Sequence, residues 1–298
     1  MGGRKASGSA KKRRGRGLVV LIWILGLVLA LGGGYLWRTG KKDREKPVSS
    51  PPSREGGITR KSDSPAKKKT GPGLSLGGSE LPRVAIVIDD LGYQRQMALD
   101  FIALNLPLTL SFLPQAPFAR EMADKAVLQG KEILLHLPME PKGFPKTDPG
   151  PSALLTTMTE RDIREILEKD LVQFPGIRGV NNHMGSLFTE DREKMTLVLR
   201  IISQKNLYFF DSRTSPDSVG LSLAAQLGVK AIGRDIFLDN ISDEEAIRLQ
   251  LEKLIHLAQN KGLAVACAHP HPQTLRVLKE AIPELREKVH LVPLSGLL

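Results

Sequence analysis

Short apolar runs alternate with amphipathic stretches from Leu81 to the end of the chain. The runs are four to six residues long and rich in Val, Ile and Leu, which is typical of buried strands; they cover residues 84–88, 108–112, 132–136, 177–181, 207–211, 229–233, 263–268 and 289–292. The stretches between them predict helices over 94–104, 117–130, 160–173, 190–204, 217–227, 243–260 and 272–280. This alternation predicts one α/β domain over residues 81–298 with a parallel sheet, open or closed.

Several helix boundaries are marked by capping residues. Thr159 and Ser242, each followed by acidic residues, have the pattern of helix N-caps. Gly130, Gly228 and Gly262 stand where three predicted helices end, because glycine readily adopts the left-handed conformation that stops a helix.

The N-terminal segment has a different character. Residues 1–16 hold seven Lys and Arg, and the 21 residues from Gly17 to Trp37 carry no charge. At about 1.5 Å per residue this stretch crosses a hydrocarbon core of about 30 Å. We therefore expect a basic cytoplasmic tail over 1–16 and a transmembrane signal anchor over 17–37, with the domain outside the cytoplasm; a cleaved signal peptide is the alternative. Residues 38–80, rich in Lys, Arg, Ser, Pro and Gly, predict a disordered linker.

The net charge of +11 is unevenly distributed along the chain. Residues 1–80 hold 18 Lys and Arg against 5 Asp and Glu, a net charge of +13, whereas residues 81–298 hold 25 against 27, a net charge of −2. Nucleic acid needs a basic partner surface, so the composition of the folded domain argues against a nucleic-acid partner. The single cysteine, Cys267, lies in an apolar run and predicts a buried structural residue, not a disulfide.

Ionisable side chains follow six of the predicted strands, at the point where each strand ends. In chain order they are Asp89 and Asp90; His136; His183 after Asn181 and Asn182; Asp211 and Arg213; Arg234 and Asp235, with Asp239 beyond; and His269 with His271. The carboxyl ends of parallel strands meet on one face of an α/β fold, which is where such folds build their sites. We therefore expect one site made from these side chains.

The donors on this face suit a divalent metal ion. They are carboxylates and imidazoles, and they include four of the six histidines of the chain. The adjacent carboxylates of Asp89 and Asp90 repel each other unless a cation or histidines lie nearby. A catalytic zinc ion takes about three protein ligands and leaves a position for water, and hydrolysis also needs a base and an acid. The sequence thus predicts a metal site, most suited to Zn²⁺.

Five short motifs at these strand ends resemble those of a known family. They are V-I-D-D-L-G from Val87, H-L-P-M-E-P from His136, N-N-H-M-G-S from Asn181, F-D-S-R-T from Phe210 and A-H-P-H-P from Ala268. In this order they resemble the divergent polysaccharide deacetylase family, a bacterial envelope branch of the polysaccharide deacetylase (NodB homology) superfamily. The resemblance covers about residues 82–296 and implies a deformed (β/α) barrel of about seven to eight parallel strands, with the ancestry of a metal-dependent hydrolase.

The resemblance also implies roles for individual residues. Asp89 matches the catalytic base of the superfamily and Asp90 its metal-ligand aspartate. His136 matches the first histidine of the H-x-x-x-H metal motif, and His269 matches the late general-acid histidine.

Two departures from the superfamily pattern stand out. The second metal histidine is replaced by Glu140, and Pro138 disfavours a helical pair of ligands there, so we expect His183 as the third ligand. The arginine motif after the fourth strand is also absent. We expect the remaining polar residues to support the site: Glu140, Asp211, Arg213, Arg234, Asp235 and His271.

These features favour a metal-dependent hydrolase that removes an acetyl or similar acyl group from an envelope glycan. Asp89 would act as base and His269 would protonate the leaving amine. The alternative is a non-catalytic descendant that binds a glycan or an envelope protein, since a fold does not fix a function. A phosphotransferase or nucleotide-binding enzyme is disfavoured, because no predicted strand is followed by a glycine-rich phosphate loop.

Overall fold

The structure is a computed structural model, and it describes residues 80–298. The predicted tail over 1–16, the anchor over 17–37 and the linker over 38–80, apart from Glu80, lie outside the described residues and stay predictions. Within the described part of the chain, no helix is both long and apolar enough to cross a membrane. The buried apolar residues run from Val84 to Leu294, so the described segment carries a core of its own.

Strands and helices alternate along the described chain. The strands are β1 (Arg83–Leu91), β2 (Thr109–Phe112), β3 (Glu132–Met139), β4 (Gly179–Met184), β5 (Tyr208–Asp211), β6 (Ala231–Gly233), β7 (Ile236–Phe237), β8 (Leu263–Ala268) and β9 (His290–Leu291). The helices are α1 (Arg95–Ala103), α2 (Ala119–Leu128), α3 (Glu160–Val172), α4 (Arg192–Gln204), α5 (Gly220–Leu227), α6 (Glu244–Lys261), α7 (Pro272–Glu280) and α8 (Ile282–Lys288). Short 3₁₀ helices occur at Phe188–Glu190 and Leu294–Leu297.

The strands form one parallel sheet that curls into a barrel. Its order is β6-β5-β4-β3-β2-β1-β8-β7, with β9 paired to the start of β1. The strands at the two ends of this order, β6 and β7, are separated by only Arg234 and Asp235. The Arg234 N–H donates to Asp211 O beside β6 (3.0 Å), and the Asp235 N–H donates to Val265 O on β8 (2.9 Å). The chain thus steps from one edge of the sheet to the other, which confirms the predicted deformed barrel.

The structure adds two elements to the predicted set. β7 has only two residues and α8 has seven, and such short elements leave little periodicity in a sequence. β4 also runs to Met184, three residues beyond the predicted end, and so carries His183 within the strand. The predicted strands and helices otherwise all lie on observed ones.

The predicted helix ends are mostly observed. Thr159 forms a capping box with Asp162 at the start of α3. The N-cap of α6 is Asp243 and not Ser242, because the Asp243 carboxylate accepts the N–H of Ala246 (3.1 Å). The glycines at the ends of α5 and α6 have the predicted left-handed conformation.

The barrel interior is apolar and closed at the end where the strands begin. A cluster of buried residues fills it, including Val87, Phe210, Cys267 and Leu294, and this confirms that Cys267 is buried. At that end the buried Glu132 Oε1 accepts three hydrogen bonds, from Thr109 Oγ1 (3.0 Å), Tyr208 OH (2.9 Å) and Ser295 N–H (3.1 Å). A site must therefore be built at the carboxyl ends of the strands.

Candidate metal centre

Asp89 and Asp90 direct their carboxylates to the same place, although neighbouring side chains of a regular strand point to opposite faces. The register of β1 with β2 shifts across these two residues, and Asp90 has a left-handed backbone with φ 55°. As a result both acids face one imidazole: Asp89 Oδ1 lies 3.8 Å from His136 Nδ1, and Asp90 Oδ1 lies 3.0 Å from His136 Nε2. Gly92 completes the turn, since a Cβ there would lie 2.7 Å from that of Ala116.

Three donor atoms form a tight triangle at the mouth of the barrel. Asp90 Oδ1 lies 3.0 Å from His136 Nε2 and 2.8 Å from His183 Nδ1, and the two nitrogens are 3.2 Å apart. Ligand atoms at about 2.0–2.1 Å from a tetrahedral zinc ion stand about 3.3 Å from one another. Asp90 Oδ1 is buried and makes no well-formed hydrogen bond. The spacing, the donor types and this orphaned oxygen fit a divalent cation.

The electrostatics of the triangle match this interpretation. Burial raises the pKa of Asp90, but the two imidazoles of His136 and His183 close to it outweigh this effect and hold that pKa below its ordinary value. Burial lowers the pKa of His136, and the nearby carboxylates of Asp89 and Asp90 more than reverse this, so the pKa is raised. Asp90 is thus ionised, and a cation would take the place of the proton that the His136 imidazole favours.

His269, at the end of β8, approaches Asp90 from another side. Its Nε2 lies 3.8 Å from Asp90 Oδ2, and its Nδ1 lies 3.0 Å from Asp239 Oδ1. Asp239 Oδ2 accepts the His269 backbone N–H (2.7 Å) and Thr274 Oγ1–H (2.7 Å), which fixes the carboxylate. Burial lowers the pKa of His269, but Asp239 and Asp90 together raise it above its ordinary value. The ring is therefore held by Nδ1 with Nε2 aimed at the metal centre, as a general acid requires.

His271 joins Asp239 and His269 in a second group of possible metal donors. The oxygens of Asp239 already accept the bonds just described, and one of them holds His269 Nδ1. The ring centroids of His269 and His271 are 5.9 Å apart. We interpret this group as hydrogen-bonded support for His269 and not as a second metal site.

Asp89 lies behind His136, away from solvent. It is 2% exposed. Its Oδ1 accepts a hydrogen bond from Asn181 Nδ2 (2.8 Å), and its Oδ2 accepts one from Cys267 Sγ (2.6 Å). His136 Nδ1, which faces Asp89 Oδ1, is buried and has no hydrogen-bond partner of its own. The negative charge of Asp89 is thus applied to the side of the imidazole opposite the triangle.

Comparison with known proteins places this arrangement in a family. A family model described as divergent polysaccharide deacetylase matches residues 86–298. The chain belongs to the divergent polysaccharide deacetylase family. Uncharacterized protein YibQ of Escherichia coli (strain K12) is 38% identical over 216 residues, which are 72% of this chain and 67% of that protein.

Two further comparisons agree with this family assignment. An uncharacterized protein of Haemophilus influenzae (strain ATCC 51907 / DSM 11121 / KW20 / Rd) is 35% identical over 215 residues, 72% of this chain and 76% of that protein. The crystal structure of uncharacterized protein ATU2773 from Agrobacterium tumefaciens C58 has a TM-score of 0.71 at 27% identity and covers 74% of this chain and 91% of that one. The family and the fold expected from the motifs are therefore both confirmed.

In this member of the family, the structure brings together five of the residues predicted for the site: Asp89, Asp90, His136, His183 and His269. Glu140 does not join them, although it was expected to support the site. Its Oε2 accepts the Thr156 N–H (2.6 Å) and Oγ1–H (2.7 Å). The chain has left β3 at Glu140, so its side chain secures the following loop instead.

Asp235 also lies away from the metal centre, contrary to expectation. Its Oδ2 accepts the Val265 N–H (3.0 Å), and its Oδ1 lies 3.3 Å from Lys261 Nζ. Asp235 belongs to the step between β6 and β7, where it ties the chain to β8. Its role is therefore to close the barrel.

Asp211, Arg213 and Arg234 shape the loop after β5. Asp211 Oδ1 accepts the Arg213 N–H (2.8 Å), and Arg234 Nε donates to Ser212 O (2.8 Å). Arg213 has φ 50°, and Met184 at the end of β4 has φ 51°, close to the value at Asp90. Strained residues thus mark the ends of β1, β4 and β5, as is common around functional sites.

The roles of three residues that touch the centre were not predicted. Asn181 and Asp239 stand at strand ends in the sequence, but only the structure shows that they hold Asp89 and His269. Cys267 was predicted as a small buried hydrophobe, and its thiol also donates to Asp89. The sequence signal that could have indicated this is the alternation of side chains along β8. It places Cys267 on the face of the strand that points into the barrel.

Proposed function

We propose that the protein is a metal-dependent deacetylase that hydrolyses an acyl amide on a glycan of the bacterial envelope. The observation that carries this proposal is the triangle of Asp90, His136 and His183, with His269 Nε2 3.8 Å from the other oxygen of Asp90. Amide hydrolysis needs an electrophile at the carbonyl oxygen and an acid at the leaving nitrogen. The triangle would hold the metal ion on one side of the Asp90 carboxylate, and the His269 imidazole lies on the other side. Together they would supply this electrophile and this acid.

The residues of the triangle would hold the ion, and a set of one carboxylate and two imidazoles suits Zn²⁺. When bound, the ion polarises the scissile carbonyl and lowers the pKa of a water at its open position to about 7. His136 presents Nε2 to the triangle and Nδ1 to Asp89. The charge of Asp89 behind this imidazole favours the tautomer with its proton on Nδ1, which leaves Nε2 free to bind the ion.

His269 donates the proton that the leaving amine needs. Its raised pKa favours the protonated ring, and Asp239 at Nδ1 leaves Nε2 as the donating atom. Asp239 stays ionised, since hydrogen bonds from His269 and Thr274 outweigh the effect of burial and lower its pKa. Asp239 is thus a positioning residue that acts through His269.

Asp89 acts from behind His136 in this proposal. The family resemblance assigns it the role of base. Asp89 is 2% exposed, and its oxygens already accept hydrogen bonds from Asn181 and from Cys267, so its contact with water is limited. The position of Asp89 therefore favours a role in which its negative charge orients His136. Its role as the catalytic base stays a prediction.

The substrate we propose is a short or partly enclosed stretch of an envelope glycan. The predicted anchor over residues 17–37 would hold the domain in the cytoplasmic membrane, facing the periplasm, where such glycans occur. Phe, Trp and Tyr make up 5% of the chain, which gives little material for a long stacking platform. The carboxyl ends of the strands, where the triangle lies, are the side from which a glycan would enter.

Elemental analysis and acetate release test the proposal. We expect one equivalent of metal in the purified protein, lost in Asp90→Ala, His136→Ala and His183→Ala, and acetate release from N-acetylated chitooligosaccharides or peptidoglycan fragments. His269→Gln should keep the metal and lower kcat by about 10²–10⁴-fold. The matched control is His256→Gln, an exposed histidine on α6 that should change neither quantity. Bound metal without acetate release from any of these glycans would contradict the proposal.

A non-catalytic glycan-binding protein is the second candidate. The observation that favours it is the burial of Asp89, which is 2% exposed and lies behind His136, so the expected base has little access to water. This candidate expects calorimetric binding of the same glycans, with the acetyl groups intact after long incubation with the metal-loaded protein.

A further inference from the structure

The exposed aromatic side chains of the described chain all lie at the end of the barrel that carries the metal centre. Residues 80–298 hold eleven Phe and Tyr, and only three of these are exposed: Tyr93 (53%), Phe118 (36%) and Phe144 (37%). They lie in the loops that follow β1, β2 and β3, which are neighbours in the sheet. Single exposed apolar residues are common anywhere on a surface, but their confinement to one rim indicates a place of recognition.

The structure holds the loops of Tyr93 and Phe118 against each other. The Phe118 N–H donates to Gly92 O (2.9 Å), directly before Tyr93. Beyond this contact, Arg95 Nη2 lies 2.7 Å from Glu121 Oε1, which ties the first turn of α1 to that of α2. Cross-links on both sides of the two aromatic residues fix their spacing before any ligand arrives, so a ligand has less conformational freedom to remove.

This pair also lies close to the metal centre along the chain. Tyr93 is three residues beyond Asp90, so their Cα atoms are at most about 11 Å apart. Phe118 is joined to the same turn through Gly92. A glycan whose amide lies at Asp90 would therefore bring a neighbouring sugar unit to the pair.

We propose that Tyr93 and Phe118 form a stacking subsite for a pyranose ring next to the sugar whose amide lies at the metal centre. This inference rests on the proposed glycan substrate and names how that substrate is held. A pyranose ring has an apolar face of C–H bonds and an edge of hydroxyl groups. The aromatic rings would cover the face, and the exposed polar side chains of Gln94, Arg95 and Glu121 would meet the hydroxyls.

The small size of this apolar patch favours a sugar over a protein partner. A stable protein interface buries about 800 Å² on each side around an apolar centre. Two partly exposed aromatic side chains offer far less, since even a fully buried aromatic covers only about 150–250 Å². The residues beside them in the sequence are mostly polar and exposed, including Gln94, Arg95 and Arg120. One or two sugar rings match such a surface.

Calorimetric titration of the full-length, metal-loaded protein with tetra-N-acetylchitotetraose tests the subsite. The titration uses the His269→Gln background, in which the sugar should stay acetylated. Tyr93→Ala with Phe118→Ala should weaken binding about 10–100-fold without changing metal content. Tyr93→Phe with Phe118→Tyr keeps both rings and should bind within about threefold of the parent. Tyr93→Leu with Phe118→Leu keeps apolar surface but loses the flat faces, and should weaken binding about tenfold or more.

The control pair is Leu128→Ala with Leu249→Ala, two exposed apolar residues at the end of α2 and on α6. It should leave the affinity within about twofold. Circular dichroism would verify that each variant is folded.

Acetate release with His269 intact supplies a second readout. The Tyr93→Ala and Phe118→Ala pair should raise KM for the tetramer by about 10–100-fold and leave kcat within about threefold, because the rings hold substrate and transition state alike. The proposal is overturned if the parent protein does not bind the tetramer, if the leucine pair binds it as tightly, or if the control pair loses as much affinity. Binding that depends on the rings but comes without acetate release would support the subsite and refute the deacetylase.

Discussion

The replacement Asp89→Asn separates the two roles available to this residue. It removes one negative charge and almost no volume, and an asparagine oxygen can still accept the hydrogen bond from Asn181. The change therefore acts mainly through His136, whose Nδ1 lies 3.8 Å from Asp89 Oδ1. We expect weaker metal binding, because the imidazole loses the charge that fixes its tautomer and orientation.

The magnitude follows from this distance. Two unit charges 3.8 Å apart interact by about 4 kcal/mol at an effective dielectric constant of about 20. An imidazole N–H carries only part of a unit charge, so about 1–3 kcal/mol remains, which corresponds to a metal affinity about 10–100-fold weaker. If Asp89 is also the base, kcat at saturating metal should fall by a further 10²–10⁴-fold or so.

Calorimetric titration of the metal-free protein with zinc measures the affinity, and acetate release at saturating zinc measures the second effect. The matched control is Asp211→Asn, a buried acid at the end of β5 that bonds to Arg213 N–H and Ser218 Oγ. It should leave the metal affinity within about twofold. An Asp89→Asn variant that binds zinc as tightly as wild type would refute the orienting role of Asp89.

Three further predictions concern single residues. Glu140→Leu leaves both Thr156 donors without an acceptor and should lower the free energy of unfolding by about 1–3 kcal/mol with unchanged metal content; loss of metal would make Glu140 a ligand. Asp239→Asn should keep the metal and lower kcat about 10²-fold or more by releasing the His269 ring, and full activity would remove Asp239 from the mechanism. Burial raises the pKa of Asp170 from 3.8 to about 6, so the folded state holds this proton more tightly than the unfolded state. Stability should therefore fall by about 1–3 kcal/mol as pH rises from 4 to 6, and chemical denaturation of Asp170→Asn should show this fall abolished.

The fold could be predicted because each strand and helix has a local pattern. The buried run before Asp89 and the capping box at Thr159 are legible from neighbouring residues alone. The candidate ligands Asp90, His136 and His183 could be proposed for a topological reason, since parallel strands bring their carboxyl ends together. The elements that escaped prediction, β7 and α8, are too short to leave a periodic signal.

The sequence by itself determined the alternation of strands and helices, the family, and which residue types meet at one end of the barrel. These features depend on local hydrophobic patterning and on chain order, both of which are written in the sequence. Only the tertiary structure decided which side chains touch. The register shift at Asp90 turns two adjacent acids toward His136, while Glu140 and Asp235 turn to loops and to β8. Such choices depend on backbone conformation and on contacts between distant strands, where a change of one residue in register reverses the direction of a side chain.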